Sequence, residues 1–155
     1  MNKILKLILC ILLPLSIGAL SGVATASGVR SWYLTLEKPF FNPPDYLFAP
    51  VWTVLYLLMG ISFYLVLQSK FSRYKRRAIQ IFVLQLILNF LWSFLFFKFH
   101  LITAALIDIV LMWLSILLMI FTFYEVDKKA GLLQVPYLLW VTFATLLNAS
   151  IWMLN

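Results

Sequence analysis

The sequence is poor in the residues that soluble catalytic domains are built around. Its single cysteine, Cys10, excludes an intrachain disulfide and a cysteine-held metal cluster. Cys10 lies in an apolar run and reads as a small hydrophobe. The single histidine, His100, excludes an imidazole cluster for metal. Charged residues make up only 11% of the chain, against roughly a quarter in an average soluble domain. So few charges cannot cover a water-facing surface, and the excess apolar surface must face lipid. No Gly-rich phosphate loop and no nucleophile–base pair is visible, which leaves conventional hydrolytic or acid–base chemistry little to work with. Paired acids and the six-helix repeat of many ion-coupled carriers are missing as well.

What is abundant is apolar: 65% of the residues are hydrophobic and the mean hydropathy is +1.03. A helix needs about 20 apolar residues to cross about 30 Å of hydrocarbon, so 155 residues allow five or six crossings and one domain, 1–155. Apolar runs at about 4–26, 48–68, 78–97, 101–124 and 132–154 predict an all-α integral membrane bundle of five transmembrane helices. Net charge is +7, which on a soluble protein would suggest nucleic acid. Here the basic residues sit in short gaps between apolar runs, where they act as a topology signal, and no nucleic acid partner is expected.

The first run begins after Lys3 and Lys6 and ends in Ala24-Thr25-Ala26, which resembles a signal-peptidase site. Its length argues for a retained span instead. So does the stripe of Gly18, Gly22 and Ala26, which would let another helix approach closely. The segment from Gly28 to Leu47 is the one substantial loop. Pro39, Pro43 and Pro44 break helices there, and Trp32, Tyr33, Phe40, Phe41 and Tyr46 argue against disorder. Two readings of this loop stand: an interfacial aromatic belt, or a lid over a cavity between the helices.

Polar groups in lipid normally face the bundle interior. At about 100° per residue, the second span offers a stripe of Trp52, Tyr56, Met59 and Phe63. The third offers Gln85, Asn89, Trp92, Ser93 and Phe96. The fourth offers Asp108, Met112 and Ser115, and the fifth Tyr137, Trp140, Ala144 and Asn148. Four faces of aromatics with a few polar groups line an apolar ligand pocket in the usual way. The plainer alternative is helix-to-helix bonding, typically worth about 1 kcal/mol. Gln85 reads as such a tie, Asn89 as tie or ligand contact. Asp108, the only acid deep in a span, is either a proton or cation site or, as the favoured reading, structural, reaching the interface or accepting bonds from a neighbouring helix. The candidate ligand contacts are Trp32, Phe41, Trp52, Tyr56, Asn89, Trp92, Tyr137, Trp140 and Ala144. No metal site and no resident cofactor is expected.

Trp32-Tyr33, Leu36, Lys38-Pro39, Pro43-Pro44, Val51-Trp52, Leu55-Tyr56 and Met59-Gly60 together resemble the TspO/MBR family. This family comprises the tryptophan-rich sensory proteins of bacteria and the mitochondrial translocator protein, once called the peripheral benzodiazepine receptor. The likeness runs through nearly the whole chain: Pro14, Gly18 and Gly22; Gln85, Asn89 and Trp92; Leu106 and Asp108; Pro136-Tyr137-Leu138, Trp140, Ala144 and Asn148. It implies a five-helix bundle, usually a homodimer, that binds porphyrins and related hydrophobic ligands in a cavity under the first loop. By position, Trp52, Asn89 and Trp140 match residues implicated in that binding. The resemblance also implies, for some bacterial members, degradation of protoporphyrin IX in light and oxygen; Trp52 and Trp140 would carry it here. A structural or regulatory membrane partner whose cavity is incidental is the third reading. Two departures stand out. Phe41 occupies the place of the family's loop Trp, which puts photochemistry in question. Ala149 and Met153 stand where the animal proteins carry the Tyr and Arg of a cholesterol motif, so steroid transport is not expected.

Five spans put the two termini on opposite sides. Lys3, Lys6, Lys70, Arg73, Lys75, Arg76, Arg77, Lys128 and Lys129 fall on one side, and Arg30, Lys38 and Lys98 on the other. In a bacterial inner membrane this asymmetry predicts a cytoplasmic N-terminus. An alkaline phosphatase fused after Asn155 is expected to be active, and one inserted in the 70–77 loop inactive. The reverse pattern would invert the topology.

Overall fold

The structure is a computed structural model that describes residues 1–70 and 72–155. Phe71, in the basic loop read over 70–77, lies outside the described residues. Helix α1 spans Lys3–Val29 and is capped by Asn2, whose side chain accepts from the Ile4 amide. A single turn, α2, covers Trp32–Thr35, and a 3-10 turn at Asp45–Leu47 runs into α3, Phe48–Gln68. Helix α4, Lys75–Ser93, continues through a π-helical turn at Phe94–Lys98. Helix α5 is Ile102–Val126, and α6, Lys128–Leu133, leads through Gln134 to α7, Val135–Leu154. Among the described residues five segments are long and apolar enough to cross a membrane: Lys3–Val29, Asp45–Gln68, Lys75–Lys98, Ile102–Val126 and Lys128–Leu154.

The spans follow the apolar runs, with differences at their ends. Helix α1 continues three residues past Ala26, because Gly28 closes against the π turn of α4 rather than breaking the helix. A Cβ at Gly28 would stand 2.5 Å from the Phe97 carbonyl oxygen. The last span begins at Lys128 instead of about 132, because the Asp127 side chain caps α6 by accepting from the Ala130 amide at 3.0 Å. Between α4 and α5 the tight turn is made by His100, with φ of 58°. Histidine is among the few non-glycine residues enriched in that region, and its ring is held by stacking on Trp32 at 4.2 Å.

Helix α1 packs along α3 and against α4 and its π turn, while α5 packs against α4 and α7. Pro14, inside α1, has no N–H to give to the Cys10 carbonyl. Helix α3 lies against that same carbonyl through Gly60, where a Cβ would stand 2.5 Å from Ile11 Cα and 2.8 Å from Cys10 O. With no hydrophobic drive between helices in lipid, such close approach is a main source of association. Below it, Phe63 stacks on Phe82 at 4.1 Å, and the Ser62 hydroxyl donates to the Ala130 carbonyl at 2.6 Å. The bundle is solid at this end. Gly60→Val is expected to cost about 1–3 kcal/mol through overpacking, read as a lower unfolding temperature in mild detergent. At Gly22 an added Cβ meets nothing within 4 Å, and Gly22→Ala should leave the unfolding temperature near wild type. Equal effects would show that α1 and α3 do not depend on this contact.

Candidate functional site

The other end of the bundle is hollow. A cavity of about 580 Å³ lies under the first loop, walled by α1, α3, α4 and α7. Its aromatic walls come from three helices. Trp52 of α3 stacks on Tyr56 at 5.6 Å. Trp92 of α4 stacks on Phe96 at 5.4 Å and donates from its indole nitrogen to Asn148 Oδ1 at 3.0 Å. Trp140 of α7 lies between Phe143, at 5.4 Å, and Phe48, at 6.3 Å; its indole nitrogen is buried with no partner among the described residues.

The floor is polar. The Tyr56 hydroxyl donates to Asn89 Oδ1 at 2.7 Å, and Asn89 Nδ2 donates to the Tyr137 hydroxyl at 2.9 Å. Tyr137 in turn donates to Gln85 Oε1 at 2.8 Å. All four side chains are buried. An Asn amide offers two N–H groups and two lone pairs, so the two bonds leave Asn89 one donor and one lone pair at the cavity floor. Asn89 and Gln85 lie one turn apart on α4, which is why a single chain of bonds ties α3, α4 and α7 together.

Six of the nine predicted contacts line the cavity: Trp52, Tyr56, Asn89, Trp92, Trp140 and Ala144. Trp32, Phe41 and Tyr137 stand one layer behind it. Trp32 packs edge-on to Phe96, Phe41 packs against Phe143, and Tyr137 lies beneath Asn89. The expected faces are also redistributed. Helix α5 contributes nothing to the lining, because its stripe of Asp108, Met112 and Ser115 is buried in the bundle. Asp108 accepts no hydrogen bond from a neighbouring helix among the described residues, and its Oδ2 is buried without a partner. The fourth wall is α1. A Cβ at Gly18 would stand 2.3 Å from the Tyr56 ring, and Gly22 and Ala26 face the cavity. The small-residue stripe thus meets a side chain and open space within the chain. Its spacing was legible in sequence; what it faced was not.

The first loop divides between its two readings. Tyr33 and Asp45 line the cavity, while Phe40 is 100% and Tyr46 75% exposed, as interfacial aromatics are. The loop is held down by polar contacts. Lys38 Nζ donates to the carbonyls of Tyr33 and Leu36 at the end of α2, at 2.8 and 3.1 Å. The Tyr33 hydroxyl donates to Asn42 at 2.6 Å. Asn155 bonds both the amide and the carbonyl of Glu37. Burial, with Asp45 nearby, pushes the Tyr33 phenol up to about 12. Among the described residues the only charged side chains lining the cavity are Arg30 and Asp45, both exposed.

Asn89→Ala would leave the hydroxyls of Tyr56 and Tyr137 each short of a partner. A loss of about 1–3 kcal/mol in stability is expected, together with about 1 kcal/mol in affinity for a ligand bearing an amide or carboxylate. Lower stability with unchanged affinity would make Asn89 a tie between helices alone.

Comparison with known proteins agrees with this architecture. The model of the TspO/MBR family matches residues 10–153. The chain is 45% identical over 153 residues to the tryptophan-rich protein TspO of Archaeoglobus fulgidus, covering 99% of each chain. It is 45% identical over 157 residues to the tryptophan-rich protein TspO of Chlorobaculum tepidum, covering 100% of this chain and 99% of that one. To the translocator protein of Bos taurus it is 33% identical over 146 residues, covering 93% and 86% respectively. Five apolar spans and a family match across nearly the whole length lead to one conclusion: the chain is a multi-pass integral membrane protein of the TspO/MBR family.

Proposed function

We propose that the protein is a receptor- or transporter-like membrane protein that binds porphyrins, such as protoporphyrin IX and haem-type tetrapyrroles, and other hydrophobic ligands. The observation that carries this reading is the cavity itself: about 580 Å³, walled by Trp52, Trp92 and Trp140, with one polar floor. That volume lies within the range of small-molecule sites. A flat macrocycle gains from aromatic faces, about 0.5–1.5 kcal/mol per pair beyond area burial. The proposal includes a homodimer, as the family resemblance implies. Its expected surface is the first or third helix: Gly18 is taken up by the Tyr56 ring, while Gly22 and Ala26 are exposed and open to the close approach of a second copy.

A second reading is light- and oxygen-dependent degradation of a bound porphyrin. It is favoured by the placement of two oxidisable indoles, Trp52 and Trp140, on the same cavity. Replacing Trp by Phe separates wall from chemistry, because stacking largely survives and the indole does not. The double variant Trp52→Phe, Trp140→Phe is expected to bind protoporphyrin IX in the dark within about tenfold of wild type, followed by fluorescence quenching. Under light and oxygen, a new absorbing product from wild type that the double variant fails to make supports degradation. The same product at the same rate from both makes the tryptophans walls only. No dark binding by wild type would remove the tetrapyrrole reading. If wild type binds but makes no product, Phe41→Trp tests whether the missing loop indole is the reason.

A further inference from the structure

Three basic residues stand at the end of the bundle that holds the cavity: Arg30, Lys38 and Lys98. Two are engaged. Lys38 holds the carbonyls at the end of α2 and lies 4.9 Å above the Tyr33 ring. Lys98 lies over the rings of Phe94 and Phe99, at 5.4 and 5.9 Å. Arg30 differs from both. It follows directly on α1, is exposed, lines the cavity, and its guanidinium makes no hydrogen bond among the described residues. The wall beneath it is apolar. At 1.5 Å per residue, the α1 wall from Leu15 to Arg30 is about 22 Å long. A ligand laid along it meets indoles and small residues over its length and one free cation at its outer end. The other charged lining residue, Asp45, enters from the 3-10 turn before α3, so negative charge on the ligand is favoured on the α1 side of the rim only.

We propose that Arg30 is the anion-recognising group of this cavity, holding a carboxylate of an otherwise apolar ligand at the mouth. Among hydrophobic ligands the cavity then favours amphipathic acids over their uncharged counterparts. This deepens the tetrapyrrole reading and rests on it. A guanidinium suits the role, because its planar fork matches a carboxylate and it stays charged at any physiological pH. An exposed rim keeps the gain modest, about fivefold in affinity.

The test pairs ligand with residue. Dark binding of protoporphyrin IX and of its dimethyl ester is measured for wild type, Arg30→Gln and Arg30→Lys, in maltoside detergent free of phospholipid. Arg30→Gln is expected to weaken the free acid about fivefold and leave the ester unchanged, with Arg30→Lys between. The acid-specific loss should shrink as salt is raised. Comparing the two ligands in each protein cancels their different solubilities. Equal effects on acid and ester, or no effect on either, overturn the proposal. A phospholipid headgroup is the other source of an anion here. If Arg30→Gln loses co-purifying phosphatidylglycerol but keeps the wild-type ratio of acid to ester affinity, Arg30 is a lipid anchor and the proposal falls. Wild type binding both ligands alike sinks this inference alone; wild type binding neither sinks the tetrapyrrole reading with it.

Discussion

In hydrocarbon, the hydroxyls of Tyr56 and Tyr137 and the amides of Asn89 and Gln85 have no water to bond. Each left alone would cost free energy on the scale of a lost hydrogen bond. They are satisfied as one chain, from Tyr56 through Asn89 and Tyr137 to Gln85, with no step longer than 2.9 Å. The chain needs α3, α4 and α7 at one depth and one rotation, since a turn of any of these helices would break a link. It therefore fixes the relative placement of the three helices that carry Trp52, Trp92 and Trp140. It also marks a boundary: below it the core is filled with Phe, Met and Ile side chains, and above it the space is open.

Two further devices keep the upper space open. One is α1, whose inner face carries glycine, alanine, serine and threonine where a bundle helix would present leucine. Such residues leave the volume to whatever occupies the cavity. The helix is instead gripped from its ends. Gly60 meets it at Cys10 and Ile11, and Gly28 meets the π turn at Phe97. The other device is the first loop, pinned by Lys38, Asn42 and Asn155 so that Tyr33 and Asp45 close over the top. Lys38 in the loop motif thereby acquires a physical account. The ammonium takes up the carbonyls of Tyr33 and Leu36 at the end of α2, where the helix leaves acceptors underused; the Tyr33 carbonyl accepts from the Leu36 amide as well.

Much of this was legible in order along the chain. The five spans follow from run length alone, because a bilayer demands about 20 apolar residues for each crossing. The stripe of Trp52 and Tyr56 and that of Gln85, Asn89 and Trp92 were visible as helical periodicity, and both converge on the cavity or its floor. The stripe of Asp108, Met112 and Ser115 has the same periodicity and turns inward against neighbouring helices. Periodicity shows that a face is distinct, without naming the element it faces. Likewise the small residues of α1 were visible as a stripe suited to close approach, yet Gly18 meets a ring and Gly22 meets space.

The sequence by itself determined the solvent of this protein and its secondary structure: a lipid-embedded, all-helical chain with one aromatic loop, because hydropathy and helical period act locally. It also supplied the inventory of the site, since indoles and amides in an apolar chain have few roles. Which helices share a wall was decided only in three dimensions. That α1 and not α5 completes the cavity, that Tyr137 lies under the floor, and that among the described residues Arg30 alone of the three basic groups on its side makes no hydrogen-bond or ring contact all depend on contacts between residues far apart in sequence. Those contacts are set by helix rotation and depth, which no single span encodes; they are fixed jointly, when buried polar groups find partners and glycines let backbones meet.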